Sequence, residues 1–132
     1  MKTQTQKNIT ELVDFSIKLG QHCWQVYSRS KAGFARICML PNGKVRRRAN
    51  ELFLHGFSGR MLRCPTPALD SNAEMSHGEE MWKDYLTTKE GKVVLDSAPY
   101  PNTPGFILGC ARGFFLEGFR AGNIAVQEIF QL

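Results

Sequence analysis

The stretch FARICMLPNGKVRRR, residues 34–48, decides the fold expected from this sequence. An apolar segment precedes the turn Pro41-Asn42-Gly43, and three consecutive arginines follow it. Proline fixes φ at about −65°, which suits the first position of a type I turn, and glycine then takes the left-handed position. The stretch therefore predicts a β-hairpin with a three-residue loop. A two-residue Asn-Gly turn is the alternative, but it mixes charged and apolar residues on both faces.

This register places the positive charge on one face of the hairpin. Leu40 pairs with Lys44, Cys38 pairs with Arg46, and Arg36 pairs with Arg48. Opposed like charges destabilise an isolated sheet, and a polyanion would neutralise them. The predicted nucleic-acid-binding residues are Arg29, Lys31, Arg36, Lys44, Arg46, Arg47, Arg48 and Arg60.

Charge is distributed unevenly along the whole chain. Residues 1–64 carry 12 of the 17 Lys and Arg and a net charge of +9, whereas residues 65–132 carry a net charge of −4. Such asymmetry indicates an anionic partner for the basic end. We expect nucleic acid, DNA or RNA; an acidic protein surface is the alternative.

The remaining segments complete an α+β fold in one domain, residues 1–132. A long helix starts at Asn8 and ends before Gly33, a short helix starts at Asn50, and another runs from Ser76 to Gly91. Residues 92–96 are a predicted strand, and a last helix spans 104–121. A loop at 64–76 separates a basic lobe, 1–64, from an acidic lobe, 77–132. No internal repeat is evident.

The N-terminal helix is apolar on two faces. Leu12, Phe15, Leu19, Cys23 and Val26 form one stripe at helical spacing, and a second stripe contains Ile9, Val13, Ile17, Trp24 and Tyr27. A helix that is apolar on two faces is usually well buried. We therefore expect this helix to lie inside the domain.

A row of glycines marks the last helix. Interior helical glycines cost roughly 0.5–1 kcal/mol each against alanine, and close approach of another backbone compensates for that cost. We expect the row to be a helix-packing surface within one chain, and the alternative is self-association as a homodimer. The packing residues are Gly105, Gly109, Gly113, Phe114 and Gly118.

Composition bounds the class of protein. A chain of 132 residues with 42% apolar content is large enough for one hydrophobic core. The four cysteines have no Cys-x-x-Cys pair, and no apolar run is long enough to span a bilayer. The sequence therefore predicts a soluble cytoplasmic protein with buried thiols and no membrane contact.

No motif identifies an enzyme. The densest titratable cluster, His77, Glu79, Glu80 and Asp84, is explained by helix capping and a solvated helix face, and proximity in sequence does not define a catalytic base. We expect a non-enzymatic binding protein without metal or cofactor. An interaction module or inhibitor docking on an acidic protein surface is the alternative, and a small hydrolase is a second one.

Overall fold

The computed structural model describes residues 3–40, 44–64, 69–96 and 104–130, and their regular structure is entirely helical. The helices are α1 (Gln4–Arg29), α2 (Lys31–Met39), α3 (Lys44–Arg47), α4 (Ala49–Ser58), α5 (Ser71–Leu86), α6 (Lys89–Asp96) and α7 (Pro104–Phe130); a π-helical turn, Gly59–Arg63, continues α4. The predicted α+β class is wrong, because these residues contain no strand.

The predicted hairpin is replaced by helices α2 and α3. Its turn, Pro41-Asn42-Gly43, lies outside the described residues. The apolar arm of the predicted hairpin, residues 34–40, shows the burial pattern of a helix. Gly33 and Leu40 are buried and Ile37 is half-buried, whereas Phe34 is 61% exposed. Ser30 starts this helix, since its hydroxyl oxygen accepts a hydrogen bond from the Gly33 amide at 3.1 Å. The Ser30 cap and the 3.6-residue period of burial specify a helix here, although Pro41-Asn42-Gly43 predicts a turn.

The strand predicted at 92–96 is also wrong, because these residues belong to α6. Val94 is buried one helical turn after the buried Gly91, while Lys92 is exposed. The apolar run of three residues was too short to distinguish a strand from one turn of a buried helix.

The predicted helices are present with different ends. Helix α1 starts at Gln4, where Thr3 and Gln6 form a capping box with hydrogen bonds of 2.8 and 3.1 Å. Helix α5 starts after Asp70, whose carboxylate accepts from the Ala73 amide at 2.8 Å. Helix α7 continues past residue 121 to Phe130.

The helices form two copies of one unit. The segment YSRSKAG at 27–33 returns as YLTTKEG at 85–91, and ANELFLHGF at 49–57 returns as ARGFFLEGF at 111–119. Upstream, Gly20 and Trp24 match Gly78 and Trp82. The first unit contains α1, α2 and α4, and the second contains α5, α6 and α7.

The corner between the first two helices of each unit has the same geometry. The hydroxyl of Ser30 donates to the Tyr27 carbonyl at 2.6 Å, and that of Thr88 donates to the Tyr85 carbonyl at 2.5 Å. The glycine three residues after each hydroxyl donates its amide to that hydroxyl oxygen at 3.1 Å. A Cβ at either glycine would overlap the tyrosine carbonyl oxygen, so each corner requires glycine.

Each unit also builds the same aromatic cluster. The ring centroids of Trp24 and Phe53 are 5.4 Å apart, as are those of Trp82 and Phe115. The two corner tyrosines contact the same phenylalanines, again with ring centroids 5.4 Å apart; the rings are stacked at 23° in the first unit and tilted at 34° in the second. Both phenylalanines are at most 2% exposed, so these clusters form the centre of the core.

Helices α4 and α7 join the two units by a reciprocal backbone contact. A Cβ at Gly56 would overlap the carbonyl oxygen of Phe115, and a Cβ at Gly118 would overlap that of Phe53. Exchanging the two units converts one contact into the other. Contacts of this kind are expected when two units are related by two-fold symmetry.

Candidate functional site

A groove lies between α1 and α7, and we call it the α1–α7 groove. Its volume is about 760 Å³. Most of its lining is apolar; the lining residues are Phe15, Leu19, His22, Cys23, Val26, Tyr27, Ser30, Phe53, Glu117, Arg120, Ala121, Ile124, Ala125, Glu128 and Ile129.

The α1 wall of the groove is the first apolar stripe of the sequence. Phe15 is 50% exposed and Val26 is 60% exposed, and Leu12, beyond the groove, is 49% exposed. The prediction that α1 is buried on two faces is therefore wrong for this stripe, and Ile17 of the second stripe is also 44% exposed. Helix α1 instead buries Ser16 and Gly20, and a Cβ at Gly20 would lie 3.0 Å from Leu54 and Phe57 of α4.

The α7 wall runs antiparallel to the α1 wall. Arg36 bridges Tyr27 and Glu117 at one end of the groove. Cys23 and Glu128 line the groove further along, where the charge of Glu128 raises the pKa of the thiol. Between Glu117 and Glu128, Ile124 is 48% exposed, and past Glu128 Ile129 is 41% exposed. Two apolar walls thus face each other across open space.

A polar cluster closes one end of the groove. A guanidinium N–H of Arg36 donates to the Tyr27 hydroxyl at 2.6 Å, and the same nitrogen lies 3.7 Å from the Glu117 carboxylate. The guanidinium also lies over the Phe114 ring, 6.0 Å from its centroid. A Cβ at Gly113 would lie 3.2 Å from it, so glycine leaves room for the arginine on α7.

The thiol of Cys23 faces the middle of the groove. Partial burial raises the pKa of this thiol, and the charge of Glu128 raises it further. A raised pKa disfavours the thiolate, which is the nucleophilic form. This cysteine is therefore poorly suited to nucleophilic catalysis.

An equivalent groove with different chemistry lies between α5 and α4 with its π-helical turn. It has a volume of about 310 Å³. All of its lining residues occupy repeat positions that line the α1–α7 groove; they are His55, Ser58, Gly59, Leu62, Arg63, Met81, Asp84, Tyr85 and Phe115. We call it the polar groove.

The two grooves differ in the charge of their lining residues. Asp84 takes the place of Val26, Arg63 that of Ala125, and His55 that of Glu117. The aromatic floor is conserved between the units, with Tyr27 matched by Tyr85. The fold therefore accepts charged residues at the positions where the α1–α7 groove is apolar.

The structure disperses the predicted basic residues. Arg29, Lys31 and Arg47 are exposed, Arg46 and Arg48 are partly buried, and the Lys44 side chain lies outside the described part. The Arg36 guanidinium donates a hydrogen bond to the Tyr27 hydroxyl in the first unit, whereas the charge of Arg48 acts to lower the pKa of Tyr85 in the second. The single basic hairpin face, which required Arg36 opposite Arg48, is not formed.

Arg60 is fully buried, at 0% exposure. Its Nε donates to the Asn123 side-chain oxygen at 2.9 Å, and another guanidinium nitrogen donates to the Cys64 carbonyl at 3.1 Å. The Asn123 amide in turn donates to Glu74 at 3.0 Å, and burial lowers the pKa of Arg60. This arginine ties α4 and its π-helical turn to α7, and it has no contact with solvent.

The predicted glycine row has several environments. Gly118 meets α4, Gly113 faces Arg36, and Gly109 has open space around it. Gly105 lies in α7, but its surroundings fall outside the described residues. Phe114 is 0% exposed and packs in the core.

The predicted acidic cluster does not assemble a metal centre. Among the described residues, no three His, Cys, Asp or Glu side chains could hold a metal ion together. Glu79 is instead paired with Arg112, and Glu80 and Asp84 are exposed. None of the described helices is both long and apolar enough to cross a bilayer.

Comparisons with protein-family models, curated proteins and solved structures each found no match. The geometry of the two grooves is therefore the basis for a functional interpretation.

Proposed function

We propose that this protein is a non-enzymatic interaction module that binds an apolar helical segment of a partner protein in the α1–α7 groove. The observation that carries the proposal is the difference between the two equivalent grooves. Both have the same aromatic floor, but the α1–α7 groove has the exposed Val26 and the buried Ala125 where the polar groove has Asp84 and Arg63. Since the fold accepts charge there, we attribute the apolar lining to a binding partner.

The spacing of the lining favours a helical partner. Amphipathic helices bind in grooves between helices by apolar anchors at positions i, i+3, i+4 and i+7. Each fully buried Leu, Val or Phe contributes about 1.5–3 kcal/mol, before the cost of association is subtracted. Several anchors on the walls that Phe15 and Ile124 provide would therefore suffice for specific binding.

A selection from displayed peptides tests the proposal. The library contains helical peptides of about eighteen residues with randomised apolar positions and with flanking positions randomised among Glu, Lys and Gln. We expect enrichment on the wild-type protein and none on Phe15→Glu or Ile124→Glu. The matched control is Phe34→Glu, which places the same charge on an exposed aromatic outside the groove.

Two results would contradict the proposal. One is a failure of the wild-type protein to enrich any peptide. The other is enrichment that Phe15→Glu and Phe34→Glu reduce equally. Circular dichroism of each variant would establish that the helices are retained.

Nucleic-acid binding remains a second candidate. Arg29 and Lys31 are exposed on either side of the α1–α2 corner, and the first 64 residues carry a net charge of +9. Binding to duplex and single-stranded oligonucleotides would weaken with salt, with a log–log slope of about −0.9 per phosphate contacted in duplex DNA. We expect Arg29→Glu with Lys31→Glu to reduce that binding and Phe15→Glu to leave it unchanged. No binding at low salt would remove this candidate.

A further inference from the structure

We infer that the partner helix carries an acidic residue that meets Arg120 and a basic residue that meets Glu128, on the flank of its apolar face. This inference rests on the proposed function, because it concerns the occupant of the same groove. It assigns both the charge pattern of the partner and its direction along α7.

The length of the apolar surface indicates a helix of several turns. From Leu12 to Val26 the α1 stripe extends about 21 Å, at 1.5 Å per residue. The groove is closed by the Tyr27–Arg36–Glu117 cluster, and the apolar surface continues past its other end to the exposed Leu12. An extended apolar surface that is open at one end matches a helix better than a compact small molecule.

Two unpaired charges of opposite sign lie on the α7 wall. Arg120 and Glu128 are exposed, and neither has an ion-pair partner in the described part of the chain. Glu117, by contrast, is already paired with Arg36. The two free charges are eight residues apart, or about 12 Å along the helix. Ile124 lies between them.

The order of these charges gives the partner a direction. Glu128 and Cys23 both line the groove, away from its closed end, and the charge of Glu128 contributes to the raised pKa of that thiol. Arg120 lies one turn of α7 from Glu117, at the closed end. The partner's acidic residue should therefore lie towards the closed end, and its basic residue should lie beside Cys23.

The charge pattern can be read from the peptides selected above. On the wild-type protein, we expect enrichment of one Glu and one Lys about eight residues apart on the same flank. A variant with Arg120→Gln and Glu128→Gln should lose this preference but still enrich apolar peptides. Each exposed ion pair should change affinity about two- to fivefold.

Disulfide trapping then tests the direction. Two versions of a selected peptide carry a cysteine beside either the Lys or the Glu, and each is equilibrated in a glutathione redox buffer with a Cys38→Ser protein. We expect the cysteine beside Lys to be trapped by Cys23. In the double variant Arg120→Glu with Glu128→Lys, the cysteine beside Glu should be trapped instead. Cys23→Ser is the control for the site of trapping.

The outcomes separate the two proposals. Absence of any enriched peptide would overturn both. Enrichment that depends on Phe15 and Ile124 but shows no charge preference, or trapping that does not reverse in the charge-swapped variant, would overturn only this inference. A dimer in light scattering that Phe15→Glu dissociates would also overturn it, by assigning the groove to a second copy of the chain.

Discussion

Gly56 and Gly118 lie at equivalent points of α4 and α7, and each contacts the backbone of the other's helix. The carbonyl oxygen of Phe115 occupies the space of a Cβ on Gly56, and that of Phe53 occupies the space of a Cβ on Gly118. The two helices therefore approach as closely as their backbones allow. This contact joins the two repeat units and positions the walls of both grooves.

We predict that Gly56→Ala and Gly118→Ala each destabilise the protein by about 1–3 kcal/mol, because the added methyl separates α4 from α7. Urea denaturation followed by circular dichroism measures the change. Gly109→Ala is the matched control on α7: its Cβ meets open space, so it should be neutral or stabilise by up to about 1 kcal/mol. Equal effects at all three glycines would contradict the close contact.

We predict that Ser30→Ala and Thr88→Ala have similar effects, each a loss of about 1 kcal/mol. Each hydroxyl accepts a hydrogen bond from the amide of a helix start, and loss of such a cap has this magnitude. Thermal or urea denaturation measures both variants. Ser76→Ala, at an exposed position inside α5, is the control and should change stability by less than about 0.5 kcal/mol. A loss at only one corner would show that the two corners are not energetically equivalent.

We predict that Arg60→Ala destabilises the protein by about 3 kcal/mol or more. The substitution removes two hydrogen bonds from a buried charged group and leaves the Asn123 oxygen without that donor. The exposed Arg47→Ala is the control, with an expected change below about 0.5 kcal/mol. Because Arg60 and Asn123 share a hydrogen bond, their alanine variants should be non-additive in a double-mutant cycle.

We predict that His55 makes stability fall as pH decreases below about 6.5, the ordinary histidine value. Its side chain is exposed at the rim of the polar groove, where desolvation by neighbouring groups lowers its pKa; Arg63 adds to this, against the opposing charges of Glu90 and Glu51. The unfolded state then binds the proton more readily, so protonation favours unfolding between the unfolded and folded pKa values. Urea denaturation at pH 7 and pH 5.5 should show a smaller pH dependence for His55→Gln. An unchanged dependence would show that His55 does not contribute to the pH dependence of stability.

We predict that the four thiols react with a maleimide in a fixed order. Cys38 is exposed and should react first; Cys23 is partly buried with a raised pKa and should react more slowly. Cys64 and Cys110 are buried and should react only when the protein unfolds. Mass spectrometry of digested samples at successive times gives the order. Fast labelling of Cys64 or Cys110 in the native state would contradict the core described above.

The sequence was sufficient to predict a helical N-terminus and a helical C-terminus, but it was not sufficient to exclude a sheet. The hairpin prediction depended on Pro41-Asn42-Gly43, and a turn signal does not specify whether strands or helices flank it. The decisive local signal was the Ser30 cap with Gly33 three residues later. The same signal at Thr88 and Gly91 marks α6, so a comparison of the two segments would have identified both helices.

The repeat was missed because the spacing between the two units changes along the chain. Tyr27 and Tyr85 are 58 residues apart, whereas Phe53 and Phe115 are 62 apart. A search at one fixed period therefore finds only part of the match. The glycines that break helical propensity, Gly56 and Gly118, were the best markers, since each is explained by a backbone contact between units.

The groove could be predicted only in part. The α1 stripe was visible in the sequence, but its partial exposure depends on which face of α1 meets α4. Gly20 contributes to that choice, because Leu54 and Phe57 of α4 lie only 3.0 Å from the position of its missing Cβ. Likewise, nothing in the sequence alone distinguishes Arg60, which is buried, from the exposed arginines near it.

The reciprocal contact between Gly56 and Gly118 has a consequence for refolding. Because α4 of one unit recognises α7 of the other, two chains can exchange units and make the same contact between molecules, as in domain swapping. Dilute chains should close this contact internally, whereas concentrated refolding should trap exchanged dimers with unchanged helical content. Preparations of this protein should then differ in molecular mass according to the concentration at which they were refolded.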